Sequence, residues 1–356
     1  MTRWVYRYSL WVLLLLGVLL TLSSTPSPTA PPPLTVSVIH VGQGDSILLT
    51  FPNGSHMLVD AGPTAAGSTV VQYLRSRGVK KVDILVASHP HEDHIGGMQA
   101  VLTAFPVGKV WDSGYNHGSK TQEALYQTIK RKQIRFGLPR SGFSEDIGDV
   151  HVAVVAPGRN LLTGTSSDAN NNSLVLHVRY HNVSFLLTGD REEKGRAAVA
   201  AWPQATVLKV SHHGSRNGTD AAFLKAVKPK YAAISYGKGN SYGHPHRETL
   251  TALHHANVQG YHTALHGTVV FSTDGTNVNV VKTGSGVTSG GAGGSGASSG
   301  ATGGSGGGTR YIGNKNTKVF HLPSCSYLPY PENRVYFNTR QAAVHAGYRP
   351  CKKCHP

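Results

Sequence analysis

Three imidazoles and an aspartate crowd into six positions, His89-Pro90-His91-Glu92-Asp93-His94, an HxHxDH pattern whose flanks fix where it can stand. Ahead of Ser88, the run Val82-Asp83-Ile84-Leu85-Val86-Ala87 is apolar in the manner of a short buried strand. Behind Gly96-Gly97, apolar residues recur at helical spacing to residue 105. The cluster therefore occupies a loop between a strand end and a helix start. Such a loop can aim alternate side chains at two points, which suits a pair of metal ions better than one. Neutral imidazole and carboxylate are ordinary ligands of zinc, manganese or iron. The spacing excludes a helix-borne HExxH site. Scattered histidines would be unremarkable in a chain with 20 of them. Four candidate ligands in six positions after a buried strand are a different matter.

The rest of the chain divides around this loop. Residues 284–308 are almost wholly Gly, Ser, Thr and Ala, without charge. They cannot bury a core and read as a flexible linker, with a root-mean-square reach of about 25–30 Å. This leaves a domain of about 250 residues at 34–283, large enough to stand on its own core, and a small unit at 309–356. Residues 10–22 are apolar apart from Gly17 and Thr21, and Arg3 and Arg7 precede them. Residues 1–33 thus read as a signal peptide, or as a membrane anchor through residues 4–22, with a Pro-rich tether. Proline crowding obscures any cleavage site, so both remain open. The absence of a cysteine after the apolar run speaks against a lipoprotein. The expected location is extracytoplasmic, secreted or on the outer face of the cytoplasmic membrane.

Charge adds a partner class. Lys and Arg number 34 against 18 Asp and Glu, a formal net charge of +16. The small unit at 309–356 is the densest part: eight basic residues and Glu332 alone on the acidic side, +7. Such a balance favours polyanions, whether nucleic acid, teichoic acid or anionic membrane. Oligomeric state is not legible.

Strand and helix patterns alternate through 34–283, with hairpins as well as crossovers, which implies an α/β (α+β) fold of two mixed sheets faced by helices. A helix is expected over 191–201, and 159–172 reads as a polar loop. Asp60, Asp190 and the pair His212-His213 each follow an apolar strand directly, as the HxHxDH loop does. Acids and imidazoles at successive strand ends are what a convergent metal site requires. Taken singly, Asp60 or Asp190 would as readily be a turn or cap residue.

These segments resemble the metallo-β-lactamase superfamily, and more narrowly the extracellular hydrolase domain of the competence ComEC family. The resemblance covers residues 34–283. It is carried by Val41-Gly42-Gln43-Gly44-Asp45-Ser46, Leu58-Val59-Asp60-Ala61-Gly62, the HxHxDH loop, Asn172-Ser173-Leu174-Val175-Leu176, Leu186-Leu187-Thr188-Gly189-Asp190, Lys209-Val210-Ser211-His212-His213-Gly214-Ser215 and Tyr242-Gly243-His244-Pro245-His246. It implies an αβ/βα sandwich with two divalent ions, zinc or manganese, at the sheet edges. His89 and His91 would bind the first ion, and Asp93 and His94 the second. Asp190 would bridge them, and His212 or His213 would complete the second site. Asp60 would hold the loop by hydrogen bonds from beneath, with Asp45 and Asn172 also behind the ligands. The superfamily's usual third histidine on the first ion has no counterpart here. His151, His177 and His181 lie in strand contexts, and Asn172 stands in that region. His40 stands where competence-like sequences carry aspartate.

Two bridged ions suit hydrolysis, because they acidify bound water and stabilise developing charge. The expected catalytic residues are Asp93, with His244 and His246 to protonate the leaving group or hold a phosphate oxygen, and Lys209 to orient substrate phosphate. The expected function is an exported two-metal phosphodiesterase or nuclease acting on extracellular DNA. The alternatives are a cell-wall or small-molecule esterase or lactonase of the same fold, and a non-catalytic surface protein that binds DNA.

The small unit has its own pattern: His321, Cys325, Cys351 and Cys354, with His355 as a runner-up ligand. Two close pairs about 25 residues apart read as one structural zinc site of three thiolates and an imidazole. An oxidising compartment offers a disulfide as the alternative. The segment from Tyr311 through Arg349-Pro350-Cys351 resembles the metal-binding domain of the Ada DNA-repair family. There all four ligands are cysteine, so the methyl-accepting role of the first is not implied for His321.

Overall fold

The structure, a computed structural model, describes residues 32–284 and 311–356, apart from residues 316, 324, 326, 327, 330–332 and 355. The expected signal or anchor segment, nearly all of the linker and His355 lie outside the described residues. Among those described, no helix is long and apolar enough to cross a membrane. The chain divides into two compact units, Met1–Ser285 and Gly286–Pro356.

The first unit is built on two sheets. One runs β15 (Val278–Lys282), β14 (Val269–Thr273), β1 (Leu34–Val38), β2 (Ile47–Thr50), β3 (His56–Val59), β4 (Val82–Ala87), β5 (Val107–Asp112) and β6 (Arg135–Gly137). The other runs β13 (Gln259–His262), β12 (Tyr231–Ile234), β11 (Val207–Lys209), β10 (Val183–Leu187), β9 (Val175–Tyr180), β8 (Val150–Ala156) and β7 (Ser144–Ile147). Strands β3 to β6 pair in parallel, as do β10 to β13, and the rest pair antiparallel.

Strand alternation sorts the apolar side chains into layers. Ile47, Leu49, Met57, Val59, Ile84 and Val86 of the first sheet meet Val152, Leu176, Val178, Phe185 and Leu187 of the second between the sheets. Their neighbours Leu48, Leu58 and Leu85 face outward and are covered by the helices Gly67–Ser76, Met98–Ala104 and Lys120–Arg131. Leu186 and Leu208 do the same on the far side, beneath Ala221–Val227 and Arg247–His255. A period of two in the sequence thus makes two buried faces per sheet and four layers in all. Leu176, wholly buried between the sheets, would lose about 2–5 kcal/mol on truncation to Ala.

Four elements depart from the sequence reading. The expected polar loop 159–172 ends in a short helix, Asp168–Asn171, capped by Ser167, which accepts the Asn170 N–H. β6 and β7 were not expected: each is short and largely exposed, with no apolar alternation to announce it. The helix expected over 191–201 is helical only at Glu193–Ala197. There Asn171 Oδ1 takes the Gly195 N–H at 2.6 Å and the Arg191 side chain donates to Gly195 O at 2.9 Å, so side chains replace helical partners.

The second unit is a four-stranded sheet in the order β18 (Arg334–Phe337), β16 (Tyr311–Asn314), β17 (Val319–His321), β19 (Arg349–Pro350), with the helix Arg340–His345. Thr339 caps that helix by accepting the Ala342 N–H. Phe320, Ala343 and Tyr348 are its buried apolar cluster.

Candidate metal centre at the strand ends

Parallel strands deliver their carboxyl ends to one edge, which is where a site in such a fold collects its residues. Asp60 follows β3, His89 to His94 follow β4, Asp190 follows β10, and His212-His213 follow β11. The β1–β2 turn brings Asp45 to the same edge. Gly44 makes that approach possible: its φ is +141°, and a Cβ there would stand 2.3 Å from the Asp93 carbonyl oxygen. The Asp45 N–H donates to that carbonyl at 3.1 Å.

Asp190 is the hub. Its Oδ2 lies 3.3 Å from His94 Nε2 and 3.3 Å from His213 Nε2. His89 Nε2 and His212 Nε2 each stand 3.8 Å away. Asp93 Oδ2 is 3.1 Å from His213 Nε2 and 3.8 Å from His94 Nε2. On the other side His89 Nε2 faces His91 Nδ1 at 3.1 Å.

Behind the rings stand fixed acceptors. Asp60 Oδ2 is 2.7 Å from His94 Nδ1 and takes the Ser88 hydroxyl at 2.6 Å, while Oδ1 takes the Ser88 N–H at 2.8 Å. The Ser88 hydroxyl also reaches His89 Nδ1 at 3.1 Å. His213 Nδ1 donates to Ser235 O at 3.0 Å and lies 3.4 Å from Asp45 Oδ1. Each ring is thereby turned so that its other nitrogen points inward.

This donor set fits divalent cations. His94 Nε2 and Asp190 Oδ1 are buried without a hydrogen-bond partner, which a buried polar atom ordinarily avoids. Asp45, His94, Asp190 and His213 bring one ligand atom each within 4.8 Å of one another. Electrostatics point the same way. Burial opposes charge on His94 and His213, yet Asp190 pulls both well above the usual imidazole range, helped by Asp93 and Asp60 at His94 and by Asp45 at His213. Burial would raise Asp190, but His213, His94 and His212 hold it well below the usual carboxylate range. The pocket is built for positive charge. His89, lowered by burial and by His94, stays neutral, which is the ligand form.

His213 is buried against Asp93 and Asp190, whereas His212 is partly exposed and its Nδ1 lies 3.3 Å from Glu192 Oε1. His213 is therefore the member of the pair placed to complete the second site. Both have positive φ, 50° and 54°, a conformation that aims two adjacent rings into one site at some backbone strain.

Two sequence expectations are corrected. Lys209 does not face substrate: it is buried, with Nζ 2.7 Å from Asp45 Oδ2 and donating to Val210 O at 2.8 Å. Alternation along β11 turned it inward, where it balances Asp45. Burial raises the Asp45 carboxyl, but Lys209, His213 and His94 outweigh it and hold the group below its usual value. Asn172 does not serve the ligands either. Its amide accepts from Leu162 N and donates to Leu162 O and Asp168 O, all at 2.8 Å, and so fastens the 162–172 loop. His151, His177 and His181 are elsewhere: His151 pairs with Asp146 and His177 with Gln204 O.

His244 and His246 sit on a turn held by Asn240, which accepts the Tyr242 and His244 N–H groups. The His244 ring packs 5.4 Å from that of His212. Burial, with His212, His213 and His246, pushes His244 down to about 4. It is neutral at pH 7 and can donate a hydrogen bond. His246 Nδ1 accepts the Arg216 N–H at 3.1 Å.

Sequence reasoning missed Glu192, which also accepts from Ser166 and Asn170 and is held down to about 2: burial raises it, and the bonds from His212, Ser166 and Asn170 prevail. It also missed His117, whose ring lies 5.3 Å from that of His91. Ser88 was visible as the residue joining strand to cluster and could have been singled out.

In the second unit, β17 pairs in parallel with β19, placing Phe320 opposite Pro350. The next residues, His321 and Cys351, are thereby neighbours. His321 Nδ1 lies 3.3 Å from Cys325 Sγ, and His321, Cys325, Cys351 and Cys354 offer ligand atoms within 4.8 Å of one another. Leu322 N donates to Cys354 Sγ and Lys353 N to Cys351 Sγ, both at 3.4 Å. Burial alone would raise the Cys351 thiol, but the N–H groups of Lys353 and Cys354 and the Cys354 and Cys325 thiols lower it. Sulfurs that accept N–H bonds this way suit thiolate ligation of zinc.

Fold and site define a metal-dependent hydrolase, and the chain belongs to the metallo-beta-lactamase superfamily, which matches residues 40–238. Residues 307–356 match the metal binding domain of Ada. The chain is similar to ComE operon protein 3 of Bacillus subtilis (strain 168), 30% identical over 257 residues, covering 66% of this chain and 32% of that protein. It is likewise similar to competence protein ComA of Neisseria gonorrhoeae, 30% identical over 266 residues, covering 73% and 35%. The chain spans about a third of the length of these curated relatives. Among solved structures it is similar to the metallo-beta-lactamase fold protein YhfI from Bacillus subtilis, at 13% identity and a TM-score of 0.45, covering 68% of this chain and 100% of that one.

Proposed function

We propose that the first unit cleaves phosphodiester bonds in nucleic acid, DNA foremost, outside the cytoplasmic membrane. The observation that carries the hydrolytic part is the convergence of four imidazoles on Asp190 Oδ2. His89 and His91 would hold one divalent ion and Asp93, His94 and His213 the other, with Asp190 between them. Such a pair supplies Lewis acidity and a water that ionises near neutral pH. The chain's own residues do the rest. Asp60 and Ser88 fix the ring orientations, Lys209 keeps Asp45 ionised behind His213, and the His244 N–H is available to a phosphoryl oxygen.

The rim supports a polynucleotide. Lys238 and Arg247 are exposed beside the 240–246 turn, as is Arg216, which pairs with Glu248 at 3.4 Å. Tyr242 is 65% exposed and stacked on His244, with ring centroids 5.5 Å apart at 19°. A cationic rim with an exposed aromatic ring is how unpaired bases are commonly held. The chain is also similar to recombination protein 2 of Haemophilus influenzae, 30% identical over 272 residues, and that name fits a nucleic-acid substrate. The apolar run at 10–22 behind Arg3 and Arg7 supports export or anchoring.

The test is purified full chain incubated with single- and double-stranded DNA, with manganese or zinc and with chelator. Metal-dependent cleavage abolished by Asp190→Ala is expected. Turnover of carboxylic esters or lactones without cleavage of DNA would assign the same site to the esterase reading.

A further inference from the structure

We propose that His117 supplies the third protein ligand, beside His89 and His91, of the first metal ion; this rests on the two-ion reading above. The two sides of the site are unequally furnished. Asp93 Oδ2, His94 Nε2 and His213 Nε2 all gather on one side of Asp190. Among the described residues, the other side has the two facing nitrogens of His89 and His91, 3.1 Å apart, and a shared carboxylate. A catalytic divalent ion ordinarily keeps three protein ligands and one position for water, and with Asp190 shared between two ions that side has two ligands of its own against three on the other. Asn172 cannot supply it, because its amide is spent on Leu162 and Asp168. His151 and His177 are engaged elsewhere.

The loop after β5 brings His117 to the place. Its ring meets that of His91 edge-on, with centroids 5.3 Å apart at 82°. The His89 and His91 rings, whose nitrogens converge on one point, stand 4.8 Å apart at 79°. Two imidazoles on one ion adopt separations of this order. His117 is exposed, and its ring nitrogens make no hydrogen bond among the described residues. An exposed ring can turn toward His91 about its side-chain bonds at little cost.

An independent observation is the way the loop is held. Gln122 is buried, and its Oε1 accepts the N–H groups of His117 at 2.8 Å and Gly118 at 3.1 Å. Its Nε2 donates to Tyr115 O at 2.8 Å and to the Tyr126 hydroxyl at 2.9 Å. That hydroxyl donates to Asp112 Oδ1, which also takes the Gly114 N–H. Capping the helix Lys120–Arg131 does not need any of this, since Ser119 already accepts the Gln122 N–H. A buried amide and carboxyl and the half-buried Tyr126 phenol are committed to fixing four residues of this loop. The His117 side chain is what that loop holds beside the metal ligands.

The experiment is metal titration and manganese electron paramagnetic resonance on full chain, wild type against His117→Ala, His117→Asp and, as a surface control, His151→Ala. Wild type and His151→Ala should show the spectrum of a coupled manganese pair. His117→Ala should bind one ion at least about 10-fold more weakly and show an isolated ion, with circular dichroism unchanged. His117→Asp should recover much of the pair, because a carboxylate can replace the imidazole. A coupled pair of undiminished affinity in His117→Ala overturns the proposal and leaves the two-ion reading intact. An isolated ion in wild type, indifferent to His91→Ala, overturns both. Should His117→Ala alter the circular dichroism, the pair spectrum of His117→Asp decides: absent in a folded variant, it overturns the carboxylate rescue and with it the ligand assignment.

Discussion

Around the His/Asp cluster the chain has buried three apolar clusters, one between the sheets and one outside each. Around the His/Cys cluster of the second unit it has buried Phe320, Ala343 and Tyr348. The first cluster sits at the edge of a structure that is already complete. The second ties together strand ends that have little else to hold them. Equal-looking donor sets therefore do different jobs: the metal site of the first unit is a guest of its fold, and that of the second is part of its fold.

The sharpest way to break that contrast is to take the metal away. Chelation, or Cys351→Ala, should unfold the second unit, because structural zinc in such small modules carries about 10–16 kcal/mol of apparent binding energy. Amide resonances of residues 311–354 should collapse to random-coil positions. The first unit should keep a cooperative thermal transition under the same chelator. If both units melt together, the distinction fails.

Next in size is the buried pair that replaces metal as internal support in the first unit. Lys209→Met would strand Asp45 without its cation, at a cost of about 3–5 kcal/mol. Differential scanning calorimetry of the chelated chain should show the loss, and adding Asp45→Asn should recover part of it. A small effect of Lys209→Met on stability, with a large one on substrate affinity, would return the lysine to the substrate.

That lysine also shows where the sequence could be read and where it could not. Strand ends carry the site, and strands announce themselves by apolar alternation, so Asp60, the HxHxDH loop, Asp190 and the pair His212-His213 were legible, though not which of the pair faces the site. Two sheets and their helices were legible for the same reason. Lys209 was not: position beside a site is a matter of sequence, but the face a strand residue takes is decided by register, and β11 has only three residues. Asn172 was misplaced because a side chain bonding its own loop looks, in sequence, like one bonding a ligand. His117 lies some twenty residues beyond the ligand loop, on a segment whose approach depends on Gln122, Tyr126 and Asp112 together. No local pattern encodes that. The second unit was more legible, since its four ligands fall in two short-spaced pairs.

A smaller effect concerns that same scaffold. Burial pushes the Asp112 carboxyl up to about 6, against the Gly114 N–H and the Tyr126 hydroxyl, which favour its charge. Folding therefore takes up a proton between the unfolded value near 4 and the folded value near 6. The group's contribution is most favourable below pH 4, declines through that window and is constant above it. The decline amounts to at most about 3 kcal/mol. Asp112→Asn should flatten this part of the stability–pH curve relative to wild type. Parallel curves for the two proteins would show that the carboxyl is not desolvated as its burial implies.

The smallest effect is the one that best separates the two units in function. If the second unit grips and the first cuts, removing residues 285–356 should leave turnover of a small phosphodiester almost unchanged. All the charge of the deleted part lies in residues 309–356, eight basic residues against Glu332. Each lost phosphate contact lowers the dependence of DNA binding on salt. The truncated chain should therefore bind long DNA more weakly at low salt, and the difference should shrink as salt rises, because screening already suppresses such contacts. Fluorescence anisotropy across a salt series reads the slope directly. An unchanged slope would mean that the second unit grips something other than nucleic acid, a cell-wall polymer or a protein, and that the cationic rim at Arg216, Lys238 and Arg247 holds the DNA unaided.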